Sequence, residues 1–172
     1  SEMKITKVEA IPVWYEPTDE YHALFGSGKK KGSMVHAREG WFANIQYKEN
    51  VFVKISTDEG ITGWGEAFAL SGWMATMAAI EHTIAPRVVG RDPTQIAQLM
   101  QELYRGLYNC GRSGPMVFGL SGLDIALWDI AGKRAGKPLY QLLGGSARAS
   151  LPAYASLLRY GEAKAVARYT EQ

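Results

Sequence analysis

The sequence predicts an α+β fold: a three-stranded antiparallel sheet, then a three-helix bundle, then the start of a βα series. Three observations carry this. Residues of alternating polarity flank the turn Asp58-Glu59-Gly60 and mark a β-hairpin. Three later segments carry apolar residues at helical spacing with start and stop signals around them. After Gly144-Gly145 an extended apolar run leads into an alanine-rich helical pattern, and the series is not carried further.

The elements follow in order. Lys4 to Trp14 is rich in β-branched residues and reads as a strand ending near Pro12. Glu16 to Gly40 holds four glycines, the run Lys29-Lys30-Lys31 and little periodicity. A loop of that length is often a lid or binding loop, with a solvated insertion as the plainer alternative. In Asn44–Thr57, Val51, Val53 and Ile55 alternate against Phe52, Lys54 and Ser56, which is period two. Ile61 to Ala67 returns as the partner strand, and its Gly63 and Gly65 predict a close neighbour on that side.

Ser71 is the expected cap of a first helix with Trp73, Met77, Ile80 and Ile84 on one stripe and Pro86 at its end. Asp92-Pro93-Thr94-Gln95 reads as a capping box. Ile96, Leu99, Met100, Leu103 and Leu107 form the buried face of the helix it opens. The third helix runs from about Pro115 to Ala135 and is apolar nearly all round, so it needs cover on most sides. Gly119, Gly122 and Ala126 share a flank that lets another backbone approach. Asp129 and Lys133 form a favourable i,i+4 pair. Leu151–Leu158 then reads as a strand and Gly161–Gln172 as a helix.

Bulk properties exclude some function classes. The chain has 172 residues, 47% hydrophobic and 21% charged, an ordinary globular composition. A net charge of +2 gives no field that favours nucleic acid or membranes. The single cysteine, Cys110, has no internal partner, which suits a reducing compartment. The start has no signal-peptide layout, and no apolar run approaches the ~18–20 residues of a membrane span. The expectation is a cytoplasmic protein.

No complete catalytic constellation is legible. Gly119-Leu-Ser-Gly-Leu123 is not a nucleophile elbow, because Leu123 stands where glycine is needed. Gly26-Ser-Gly-Lys-Lys-Lys-Gly32 lacks the spacing of a phosphate loop or a dinucleotide fingerprint. His22, His36 and His82 are far apart and read as surface or loop residues, with His22 a possible lid contact. Asp124 and Asp129 point about 140° apart on a helix and read as structural. Glu66 reads as an exposed strand-end carboxylate.

Gly119 to Gly145 resembles the N-terminal signature of the mandelate racemase/muconate lactonizing enzyme family within the enolase superfamily. The matching residues are Ser121, Gly122, Asp124, Ala126, Leu127, Asp129, Ile130, Gly132, Lys133, Pro138, Leu139, Leu142, Leu143 and Gly144. Gly119 departs mildly from the alanine usual there. The hairpin Thr57–Ala67 resembles the family's second and third strands, and the order of elements agrees.

The resemblance implies two domains: a capping domain over 1–145, and a (β/α)₈ barrel of which 146–172 supplies the first strand and helix. It implies that three acidic residues on barrel strands bind Mg²⁺ and that a lysine or histidine removes the proton beside a substrate carboxylate. Those strands come later, so it assigns this chain no catalytic and no metal residue. Lys164 falls in the first barrel helix as a solvated lysine.

The resemblance further implies that two cap segments close over the barrel mouth, here Trp14–Gly40 and Glu66–Trp73. Candidate substrate contacts are Tyr15, Tyr21, His22, Phe25, Phe68 and Trp73, against loop or core packing as the plainer role of each. The implied partners are a small carboxylate substrate, the chain's own barrel domain and further copies in a homo-oligomer, with no nucleic acid and no membrane. The polar lid, with Lys29–Lys31, Tyr21 and His22, inclines the expectation to acid-sugar dehydration or racemisation. Muconate-type cycloisomerisation and dipeptide epimerisation are the alternatives. A rival of another class is a non-catalytic fragment with a structural or assembly role.

Overall fold

The computed structural model describes residues 2–15, 48–69, 72–145 and 150–154. Most belong to one compact unit, Ser1–Trp14 with Glu49–Ser146. Its sheet has the order β1 (Ile5–Tyr15), β2 (Lys48–Thr57), β3 (Thr62–Ala67). β2 and β3 are antiparallel, with Val53 opposite Gly65 and Ile55 opposite Gly63. β1 also runs against β2: the Asp58 amide donates to the Lys4 carbonyl at 3.0 Å, and the Thr6 hydroxyl donates to the Ser56 carbonyl at 3.1 Å. The hairpin turns at Gly60, whose φ of +78° suits glycine.

The period-two pattern buries Val51, Val53 and Ile55 completely. In and near β1 the buried residues shift from Met3 and Ile5 to Val8 and Ala10, with Thr6 and Lys7 both exposed, as at a bulge. Pro12 does not end the strand as the sequence suggests; β1 continues to Tyr15. β1 is an edge strand, where a proline is tolerated.

The helices correct the sequence reading at their ends. α1 (Trp73–Ala78) runs on through a π-helical stretch (Ala79–Ile84) into α2 (Ala85–Val88). The residue at the start of α1 is Gly72, with no side-chain cap, while Ser71 lies outside the described residues. Pro86 therefore sits inside the helical run rather than ending it. A proline cannot donate to the carbonyl four residues back and its ring crowds that carbonyl; the wider π turn just before it gives room. The expected stripe holds: Ile80 and Ile84 are fully buried, and Trp73 and Met77 pack against the core.

Asp92-Pro93-Thr94-Gln95 forms a turn, not a capping box. Asp92 Oδ1 accepts from the Thr94 amide and the Thr94 hydroxyl, both at 2.8 Å, so it is spent before reaching a helical amide. α3 begins at Ile96 and ends at Gly106, and the five residues of its expected face are all buried. A 3₁₀ turn, Tyr108–Cys110, follows. α4 spans Pro115–Ala135, ended by Gly136 in the left-handed conformation, and the short α5 (Leu139–Leu142) follows Pro138.

α4 lies along β3 at backbone contact. A Cβ added to Gly65 would collide with the Gly122 carbonyl, and one added to Gly63 with the Ala126 carbonyl. Gly119 faces Ile80 and Ile84, where a Cβ would stand 2.9 Å from each side chain. The small-residue flank thus serves packing inside this domain. Leu120, Leu123, Leu127 and Ile130 complete the core, and Ile125 is left half exposed.

In the second unit, Tyr15–Lys48 with Ala147–Gln172, residues 150–154 are described by themselves and carry no regular secondary structure. Of the expected strand Leu151–Leu158, residues 155–158 lie outside the described residues. So do the expected helix Gly161–Gln172 and the loop Glu16–Gly40.

Candidate functional site

The exit of β3 carries the candidate residues that the structure describes. The in–out alternation of the strand continues past its last pair: Ala67 and Ala69 are buried, and Phe68 between them is 55% exposed. The chain then turns, with the Gly72 amide donating to the Ala69 carbonyl at 3.1 Å. The Gly72 carbonyl accepts from the Ala75 and Thr76 amides and starts α1.

Two contacts fix Phe68. The Thr76 hydroxyl donates to the Phe68 carbonyl at 3.3 Å. The Phe68 ring meets Phe118 of α4 edge-on, with centroids 4.9 Å apart and planes at 62°, a favourable aromatic geometry. Phe68 is thus a held, half-open aromatic surface. Trp73, five residues on, is partly buried against the core.

The structure places Phe68 just past the end of β3 and Trp73 at the start of α1. Tyr15 ends β1. Tyr21, His22 and Phe25 lie outside the described residues, as do Lys29–Lys31. Thr76 and Phe118 were not singled out by sequence reasoning. The signal for Thr76 is a hydroxyl within an apolar helical face; Phe118 carries none beyond its place in an apolar helix.

The charged groups nearby are engaged in structure. Glu66 Oε1 accepts a hydrogen bond from the Asn50 side-chain Nδ2 across the hairpin. Asp129 Oδ2 accepts from the Trp64 amide at 2.8 Å and from Lys133 Nζ at 2.6 Å, and Lys133 Nζ also donates to the Thr62 carbonyl at 2.8 Å. Trp64 stands opposite Lys54 in a non-bonded pair of the ladder, so its amide points to the outer edge of β3. The i,i+4 pair expected from sequence is present and is spent on that edge.

Asp124 differs: burial pushes its carboxyl above the ordinary value. Asp124 and Asp129 do not form a carboxylate pair. Among the described residues no group of three histidines, cysteines or carboxylates could hold a metal ion. The described residues therefore do not fit a Mg²⁺ site. An open groove of about 470 Å³ lies beside α4, lined by Trp64, Ile125, Trp128, Pro138 and Leu139 with the paired Asp129 and Lys133 at its side. Its surface is mainly apolar, and its carboxylate, Asp129, is already engaged by the Trp64 amide and Lys133. No helix among the described residues is long and apolar enough to cross a membrane.

Comparison with known proteins agrees with this arrangement. Over 106 residues the chain is 46% identical to D-galactonate dehydratase of Pectobacterium atrosepticum, covering 60% of this chain and 27% of that protein. The corresponding protein of Ralstonia nicotianae is 46% identical over 105 residues, with the same coverage. The chain thus spans about a quarter of the length of these curated relatives.

Among solved structures, a member of the enolase superfamily from Polaromonas sp. JS666 superposes with a TM-score of 0.75 and 33% identity. The match covers 98% of this chain and 40% of that one. An enolase from Pantoea ananatis with bound D-gluconate and Mg gives a TM-score of 0.60 at 33% identity, over 85% of this chain and 28% of that one. The sequence model of the mandelate racemase / muconate lactonizing enzyme N-terminal domain matches residues 37–144, more than half of the chain. A hairpin whose glycines admit the Gly122–Ala126 backbone, and a turn after β3 that carries an exposed aromatic, therefore belong to a member of the mandelate racemase / muconate lactonizing enzyme family, represented here by its N-terminal domain.

Proposed function

We propose that this chain is the capping domain, over 1–145, of a Mg²⁺-dependent acid-sugar dehydratase, and that 146–172 begins its barrel. The 46% identity over 106 residues to a D-galactonate dehydratase carries the reading. The gluconate and magnesium bound to the Pantoea ananatis protein favour the same substrate class. The metal and the proton-abstracting base belong to the rest of the protein in this reading. The work of the described residues is to wall the site and exclude water.

Phe68 is the described residue best suited to that work. Its exposed ring offers an apolar face to the C–H side of a polyol chain, while the carboxylate and hydroxyls of the substrate are met elsewhere. Tyr15, Tyr21, His22 and Phe25 of the first cap segment and Trp73 of the second are proposed as further substrate contacts.

The test is turnover by the full-length protein of D-galactonate, D-gluconate and related acid sugars with Mg²⁺, followed by keto-acid formation. Loss of water from one of them is the expected result. No turnover across the series, with epimerisation or cycloisomerisation of another carboxylate instead, would overturn the dehydratase reading.

A further inference from the structure

We propose that Thr76 and Phe118 are positioning residues that fix Phe68 at the exit of β3, and that through it they tune acid-sugar affinity. The inference rests on reading Phe68 as substrate-facing.

Thr76 is only 1% exposed, and Thr57 is the other buried polar side chain among the described residues. Thr57 is explained by the hairpin, where its hydroxyl donates to the Ile61 carbonyl at 2.8 Å. Thr76 has no such local role. A threonine in a helix commonly bonds back to the carbonyl four residues earlier, here Gly72. That carbonyl already accepts two amides. The hydroxyl instead reaches eight residues back, to the carbonyl of Phe68.

Phe68 lies one residue past the last ladder pair, Val51 with Ala67, so the sheet gives its carbonyl no partner. A buried hydroxyl left without an acceptor costs on the order of 1–3 kcal/mol. The Phe68 backbone therefore cannot leave Thr76 freely. Phe118 restrains the other end of the residue by gripping the edge of the ring. Backbone and ring are thus tied to two different helices, while 55% of the residue stays open to solvent. An aromatic held in place before a ligand arrives loses less freedom on binding.

The test uses the full-length protein with Thr76→Val, which keeps shape and drops the hydroxyl, Thr76→Ser, which restores it, and Phe118→Leu. Hydrogen exchange of peptides covering 68–73 and steady-state kinetics with D-galactonate are read together. In Thr76→Val, exchange of 68–73 rises locally and KM rises about 5–10-fold, as expected for loss of one buried hydrogen bond. In the same variant kcat stays within about twofold, as for lost uniform binding. Thr76→Ser returns both towards wild type, and Phe118→Leu gives the same pattern as Thr76→Val. Unchanged exchange at 68–73, exchange rising equally over α3 and α4, or an unchanged KM overturns the inference. If the wild type turns over no acid sugar, the proposed function and the affinity part of the inference have failed together, and the positioning of Phe68 by Thr76 and Phe118 is decided by exchange.

Discussion

The carbonyl of Gly122 occupies the space that a side chain on Gly65 would fill. Helix and strand meet there main chain to main chain, as they do where Gly63 faces the Ala126 carbonyl. Gly65→Ala is expected to force α4 off the sheet and cost about 3 kcal/mol or more, at or beyond the usual range for overpacking. Gly60→Ala meets open space but needs φ near +78°, and is expected to cost about 1 kcal/mol. Urea unfolding read by tryptophan fluorescence separates the two. Equal losses would show that conformation, not approach, constrains Gly65.

Asp129 holds the Trp64 amide and Lys133 together. Asp129→Ala is expected to lose about 1–2 kcal/mol, since a charge-assisted bond to a partly exposed amide is worth less than a buried one. Asp129→Asn, which can still accept from the amide, should lose less. The order of the two variants in chemical denaturation is the check. An Asn variant as weak as Ala would place the energy in the ion pair.

Ile125 and Ile130 lie on one helix with opposite surroundings: the first is 49% exposed, the second fully buried. Ile130→Ala is expected to cost about 2–5 kcal/mol, and Ile125→Ala about 0.5 kcal/mol. Comparable melting temperatures for the two variants would contradict the packing described for α4.

Asp124 gives a pH test. Burial raises its folded carboxyl above its unfolded value, so the folded chain binds that proton more readily than the unfolded one. Its contribution to stability is therefore best when protonated and declines as pH rises from the unfolded value of about 4 through the folded one. Asp124→Asn should match or exceed wild-type stability at pH 7 and lose that advantage near pH 3. Melting curves at the two pH values decide it. A variant weaker at pH 7 but equal at pH 3 would show that the ionised form is stabilised instead.

Much of this was legible because the signals are local. Val51, Val53 and Ile55 alternate, Gly63 and Gly65 announce a close neighbour, and Pro115 and Gly136 bracket α4. The misses are places where one local rule yielded to another. Pro86 did not stop its helix because a π turn precedes it. Asp92 did not cap a helix because Thr94 took its oxygen first. The site was less legible, since its parts are joined only in space. Phe68, Thr76 and Phe118 are contributed by three elements, and no spacing in the chain records that a hydroxyl of one helix meets the carbonyl at a strand exit. Phe68 and Trp73 were reached only through family resemblance, not through any motif.

β3 is an edge strand, and edge strands invite pairing with other chains. At Thr62 and Trp64 the outward carbonyl and amide are already taken by Lys133 and Asp129. A stray strand arriving at that edge would have to break a salt bridge before it could gain a ladder bond. The pair that ties helix to strand is thus also a guard against misassembly while the domain is young and its partners are not yet in place.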